Sequence, residues 1–179
     1  VQRSPLIIYT ANIDLLRQET IVKAKWIITA VSAALFFGGS LFTSLRDPWF
    51  QNLQRPNWLT FEFLIPFVWT LIWACLTISA IIVWQQRTKQ GSRPWNLMII
   101  YAAIAILTSA YSPIVVELRS LTGGMIVGGV ATLLVYILAF IVKPISQKAA
   151  WLFLPYALWG PFGTYLTWLL LQLNPGVAG

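Results

Sequence analysis

Five apolar runs, each near the ~20 residues that a bilayer-spanning helix needs, dominate this chain and leave few folds open to it. They cover about 26–45, 63–84, 95–116, 124–142 and 149–171, and breakers or charges separate them: Arg46-Asp47-Pro48, Gln85-Gln86-Arg87, Glu117-Leu118-Arg119 and Lys143-Pro144. One soluble core cannot take up so much apolar sequence. Of the 179 residues 58% are hydrophobic and 9% charged, where a soluble domain carries about a quarter charged. A bilayer accepts such runs provided each satisfies its own backbone, which helices do. The reading is an all-α, polytopic membrane protein: a five-transmembrane-helix bundle over 26–174, with 1–25 as an N-terminal cytoplasmic tail or interfacial helix. Leu6, Ile7, Ile8, Ile13, Leu15, Leu16, Ile21 and Val22 alternate loosely with polar residues there, a pattern that fits either form. The first apolar run starts late and follows acidic as well as basic residues, unlike a cleavable signal.

The +7 net charge is not a nucleic-acid footprint, because the cations lie in the joints between runs. Arg3, Arg17, Lys23, Lys25, Arg87, Lys89, Arg93, Lys143 and Lys148 fall on one side of the bundle, and Arg46, Arg55 and Arg119 on the other. Nine against three predicts a cytoplasmic N-terminus and a C-terminus on the opposite side. Tryptophans near the ends of the runs (Trp26, Trp84, Trp95, Trp151) read as an interfacial belt. Histidine is absent and Cys75 is the one cysteine, so the usual ligands for haem and zinc are missing. No metal site and no required cofactor are expected. No pair of carboxylates is spaced for acid–base work and no run carries a central charge, so neither catalytic residues nor an ion path are expected.

What remains is aromatic. Within the last run stands Pro155-Tyr156-Ala157-Leu158-Trp159-Gly160, and Tyr156, Trp159, Gly163 and Thr167 fall on one helical stripe. Two aromatics followed by a glycine describe a wall with a notch in it; plain helix contact at Gly163 is the alternative. In the second run Trp69 and Trp73 share a face, either toward a pocket or toward neighbours and lipid, and a buried indole N–H needs a partner. The connector at 46–62 holds Trp49, Phe50, Trp58 and Phe61, too aromatic for a solvated loop, and is predicted to fold back as a lid. Ala30, Ala34 and Gly38 form a small-residue series in the first run, expected to pack internally; Gly124 and Gly128 form a GxxxG step whose partner is open. Prolines at 66, 113, 155 and 161 are expected to distort the spans they occupy.

On these residues the chain resembles the translocator protein / tryptophan-rich sensory protein family (TspO/MBR) over about 26–174. The motifs are Arg55-Pro56-Asn57-Trp58 in the first loop, Val68-Trp69-Thr70 in the second run, Pro155-Tyr156 with Trp159 in the last, and Asn174 near the end. The resemblance implies a five-helix bundle, often dimeric, whose first loop caps a pocket for porphyrins, sterols or synthetic aromatic ligands. It implies Trp58 in the lid, Trp69 and Trp159 in the walls, and Gly163 at a small-residue position of the cavity. The chain departs from the family where Ile72-Trp73 replaces Leu-Tyr, where Thr108, Tyr111 and Ser112 replace Asn, Trp and Ser, and where Leu166-Thr167 replaces Leu-Asn. The expected ligand-binding set is therefore Trp58, Trp69, Trp73, Thr108, Tyr111, Tyr156, Trp159, Gly163 and Thr167.

The function this favours is a membrane receptor or sensor for a planar hydrophobic small molecule, a tetrapyrrole by resemblance. The alternatives are an accessory or assembly protein that binds other membrane proteins, and a transporter of hydrophobic molecules. No repeat is visible, and five runs do not divide into equal halves, which disfavours inverted-repeat transport. Light-dependent porphyrin breakdown rests on the resemblance alone. Expected partners are membrane lipid, the planar ligand, and a second copy or another membrane protein.

Overall fold

The computed structural model describes residues 5–42, 47–86 and 93–177, with side chains described for 19–38, 47–86 and 94–176. All regular structure among the described residues is helical. The helices are α1 Pro5–Phe42, α2 Pro48–Gln51, α3 Ile65–Gln85, α4 Arg93–Val116, α5 Leu121–Val142, α6 Gln147–Trp151 and α7 Leu154–Leu173. Four stretches of the described residues are long and apolar enough to cross a membrane: Glu19–Gly38, Glu62–Gln85, Pro94–Val116 and Leu121–Val142. The fifth long helix, α7, has 20 residues, but Pro155, Tyr156, Trp159, Gly160, Pro161 and Gly163 dilute its apolar content.

Phe67, Leu71, Ile99, Ile126, Leu133, Phe140 and Leu158 all turn outward and are more than half exposed. An apolar surface so extensive needs a lipid solvent. The protein is an integral, multi-pass membrane protein.

Around the bundle α1 packs on α3 and α4, α4 on α5, and α5 on α7, while α7 meets α3 only narrowly. The core between them is aliphatic, built from Ile72, Val83, Ile104, Val135, Leu138 and Val142. Hydroxyls fasten the short elements to it. Ser79 Oγ donates to the Ala149 carbonyl at 2.8 Å and so accepts from Tyr101 Oη at 2.7 Å, tying α3, α4 and α6 together.

Local chemistry sets where the helices begin and end. Ser120 caps α5 by accepting from Gly123 N at 3.0 Å, and Ser146 caps α6 by accepting from Ala149 N at 3.3 Å. Arg119, at φ 50°, turns the chain between α4 and α5 in a left-handed conformation, common just past a helix end.

Three sequence expectations change here. The last apolar run is two helices: α6 stops at Trp151 and α7 starts at Leu154. Pro155 cannot donate to the carbonyl of Trp151, and its ring would clash there, so the break is built in. Pro66 and Pro155 consequently stand in the first turns of α3 and α7, where proline is tolerated, and only Pro113 and Pro161 lie inside helices. Residues 5–25 are continuous with the first span in the 38-residue α1, with no interruption at 25/26. A helix of that length measures about 57 Å, well beyond a hydrocarbon core of about 30 Å.

The third concerns α1's small residues. Ala30 and Ala34 are exposed, and a methyl group added at Gly38 would meet nothing within 4 Å. The face of α1 that docks is instead Ile28, Ser32, Phe36 and Phe37. Ser32 and Thr77 share a 2.9 Å hydroxyl hydrogen bond across to α3, and Phe36 is buried. Ala34 and Gly38 line an open groove with Ile106, Ser109, Ala110 and Pro113 of α4, so the small series borders α4 without a filled contact. The GxxxG step packs internally: Gly124 is buried, and a side-chain carbon on it would clash with Val115 and lie 3.3 Å from the Tyr111 ring. Gly128 faces Thr164 of α7.

Candidate functional site

The first loop lies over the bundle as its composition predicts. Asp47 caps α2, its Oδ1 accepting from Trp49 N at 2.9 Å and Phe50 N at 3.4 Å. Leu53 is buried against Val115, Val116, Leu121 and Leu170. Next to it, buried Asn174 clasps the loop backbone. Its Oδ1 accepts from Gln54 N at 2.9 Å, while Nδ2 donates to the Gln54 and Leu170 carbonyls at 3.0 and 2.8 Å. Arg55 then braces the loop internally through a 3.0 Å ion pair to Glu62, hydrogen bonds to the Phe50 and Gln51 carbonyls, and a cationic contact over the Phe50 ring.

Beyond this clasp the loop turns its aromatics onto α7. Trp58 and Phe61 each stand 6.1 Å from the Phe162 ring, and Trp159 packs on the same ring at 5.1 Å. Phe162 is thus the anchor of the lid, a role the sequence reading missed. Trp58 remains 46% exposed, so the lid is seated by ring contact and not sunk into the core.

The wall residues divide into two groups. Trp69 sits between Phe36 of α1 and Tyr156 of α7, edge-on to the latter at 5.8 Å. Trp73, one turn on, packs against Phe37 at 5.4 Å, and its indole N–H is buried with no hydrogen-bond partner. The polar positions pair with one another. Thr108 and Tyr156 share a 2.6 Å hydroxyl hydrogen bond between α4 and α7. Thr167 donates to the Gly163 carbonyl at 2.9 Å and accepts from Tyr111 Oη at 2.6 Å.

Two glycines of α7 separate cleanly. A side-chain carbon at Gly160 would collide with Thr132, whose hydroxyl is held by the Gly128 carbonyl at 2.8 Å. At Gly163 the same carbon would meet nothing within 4 Å. A side-chain carbon is therefore accommodated at Gly163, one turn from Trp159 and one turn from Thr167, and Gly160 is the close-packing position. Two concavities among the described residues lie elsewhere, at the α5–α6 junction and between α1 and α4, while here the aromatics pack on each other. Chemically the arrangement is a set of packed rings with self-paired hydroxyls and, at Trp73, a buried indole N–H without a partner.

A multi-pass α-helical bundle capped by an aromatic first loop defines a class of small membrane proteins, and sequence comparison places the chain within it. It belongs to the TspO/MBR family, whose sequence model matches residues 27–173. It is similar to the tryptophan-rich protein TspO of Bacillus cereus, 24% identical over 155 residues that cover 85% of this chain and 97% of the relative. The membrane protein YtaB of Bacillus subtilis is 25% identical over 82% of this chain and 94% of its own length. A tryptophan-rich sensory protein of Cereibacter sphaeroides is 25% identical over 72% and 78% respectively.

Proposed function

We propose that this chain is a membrane receptor or sensor that binds a planar hydrophobic molecule, a tetrapyrrole being the class favoured, between the first loop, α3 and α7. The observation that carries this reading is the unfilled space at Gly163 beside an aromatic cluster drawn from two separate segments, the loop and α7. The name of the Cereibacter sphaeroides relative, a sensory protein, agrees with it. The ligand enters on the side where α7 meets α3 narrowly, and the lid lifts from Phe162 to admit it. Because Thr108, Tyr111, Tyr156 and Thr167 already satisfy one another, the bound molecule is held by ring stacking and dispersion. Trp73 contributes a buried indole donor without a partner. Gly124 and Gly128 face Val115, Tyr111 and Thr164 within the bundle.

The orientation proposed places the N-terminus and the loops at 86–92 and 143–146 in the cytoplasm.

Titration of the purified protein with protoporphyrin tests the binding reading. Saturable quenching of tryptophan fluorescence is expected, and Trp159→Phe or Trp58→Ala should weaken it several-fold. Quenching that is linear in protoporphyrin, or identical in both variants, would overturn it.

A further inference from the structure

A groove on the outer surface, away from the aromatic site, has the makings of a lipid-binding site. It lies where α5 ends and α6 begins and encloses about 280 Å³. Its walls are Tyr136, Ala139 and Phe140 of α5 and Ala150 and Trp151 of α6, and Lys143 and Gln147 stand at its polar end. Phe140 is 76% and Trp151 64% exposed, so the groove opens sideways into the bilayer. Tyr136 is fixed by donating its hydroxyl to the Ala157 carbonyl at 2.7 Å, which gives the groove a rigid side.

Charge selects the occupant. Lys143 closes the C-terminal end of a 22-residue apolar helix, at headgroup depth, and an exposed tryptophan at the same level marks the interface. No acidic residue follows Glu117 in the sequence, and the ion pairs among the described residues, Lys23–Glu19 and Arg55–Glu62, lie elsewhere. The cation at the mouth of this apolar groove therefore lacks a counter-charge from its own half of the chain. An anionic phospholipid supplies both missing parts: a phosphate for the Lys143 ammonium and the Gln147 amide, and an acyl chain for the apolar walls. We propose that this groove binds one anionic phospholipid from the surrounding leaflet.

Native mass spectrometry of the full chain in detergent, with phosphatidylglycerol and phosphatidylcholine of equal chain length, reads the preference directly. The wild-type protein should retain phosphatidylglycerol preferentially. Lys143→Gln should reduce that retention about fivefold, the worth of one lysine at an anionic surface, whereas Lys148→Gln, outside the groove, should preserve the preference. Phe140→Ala should weaken both lipids alike, and millimolar inorganic phosphate should displace neither. Equal retention of the two lipids by wild type, equal losses in the two lysine variants, unchanged retention in Phe140→Ala, or displacement by phosphate would each overturn the proposal.

Discussion

The two glycines at 160 and 163, less than one turn apart on α7, sit in opposite environments. Gly160 presses against Thr132 of α5 with no room for a methyl group; at Gly163 an added carbon would meet nothing within 4 Å. The same contrast runs through the molecule. The α4–α5–α7 side is locked by close backbone approach at Gly124 and Gly160 and by paired hydroxyls. The α3–α7 side is closed by aromatic rings and a loop. Small residues permit backbones to meet in lipid, where no hydrophobic force between helices exists; rings that stack without interlocking can separate again.

The largest effect expected from breaking this comparison is at the locked glycine. Gly160→Val should destabilise the protein by about 3 kcal/mol, the upper part of the range for overpacking, because β-branched Thr132 is held by its hydrogen bond and cannot turn aside. Gly163→Ala should change stability by less than about 0.5 kcal/mol. Thermal unfolding in detergent, followed by size-exclusion fluorescence, measures both; equal losses would erase the distinction between the two sides.

Asn174→Ala comes next, at about 2 kcal/mol, since it removes the hydrogen bonds to the Gln54 N–H and carbonyl that hold the loop. The loss should show locally, as faster hydrogen exchange over residues 50–62 with α5 unchanged. Tyr156→Phe should cost about 1 kcal/mol or less by removing the hydroxyl shared with Thr108. Smallest is Glu62→Gln. The Arg55–Glu62 pair is partly exposed and worth below about 1 kcal/mol, so the melting temperature should barely move.

How much of this was legible in the sequence follows from what each signal measures. Apolar run length reports bilayer thickness, so α3, α4 and α5 emerged within a few residues of their observed ends. Loop aromaticity reports burial, and the lid over 46–62 was readable for that reason; Arg46 itself lies outside the described residues. The split of the last run at Leu152–Phe153 was hidden because hydropathy averages across a break that proline makes sterically. Small residues in series are ambiguous in principle. Ala30, Ala34 and Gly38 have the pattern that Gly124 and Gly128 have, yet Ala34 and Gly38 border an open groove against α4 while Val115 and Tyr111 close on Gly124. In the site, Tyr156 packs edge-on to Trp69 and Trp159 packs on Phe162. Phe162 escaped notice because its role depends on where a distant loop lands, and the mutual pairing of Thr108 with Tyr156 and Tyr111 with Thr167 depends on the register between α4 and α7. Neither is written in local spacing.

The account turns on Gly163 opening onto usable space. Protoporphyrin titration of Gly163→Phe, with melting temperature measured in parallel, tests this most directly. A protein that melts as wild type does but no longer shows saturable tryptophan quenching is the expected result. Wild-type quenching from an equally stable Gly163→Phe protein would contradict the account, placing any ligand away from the lid and α7.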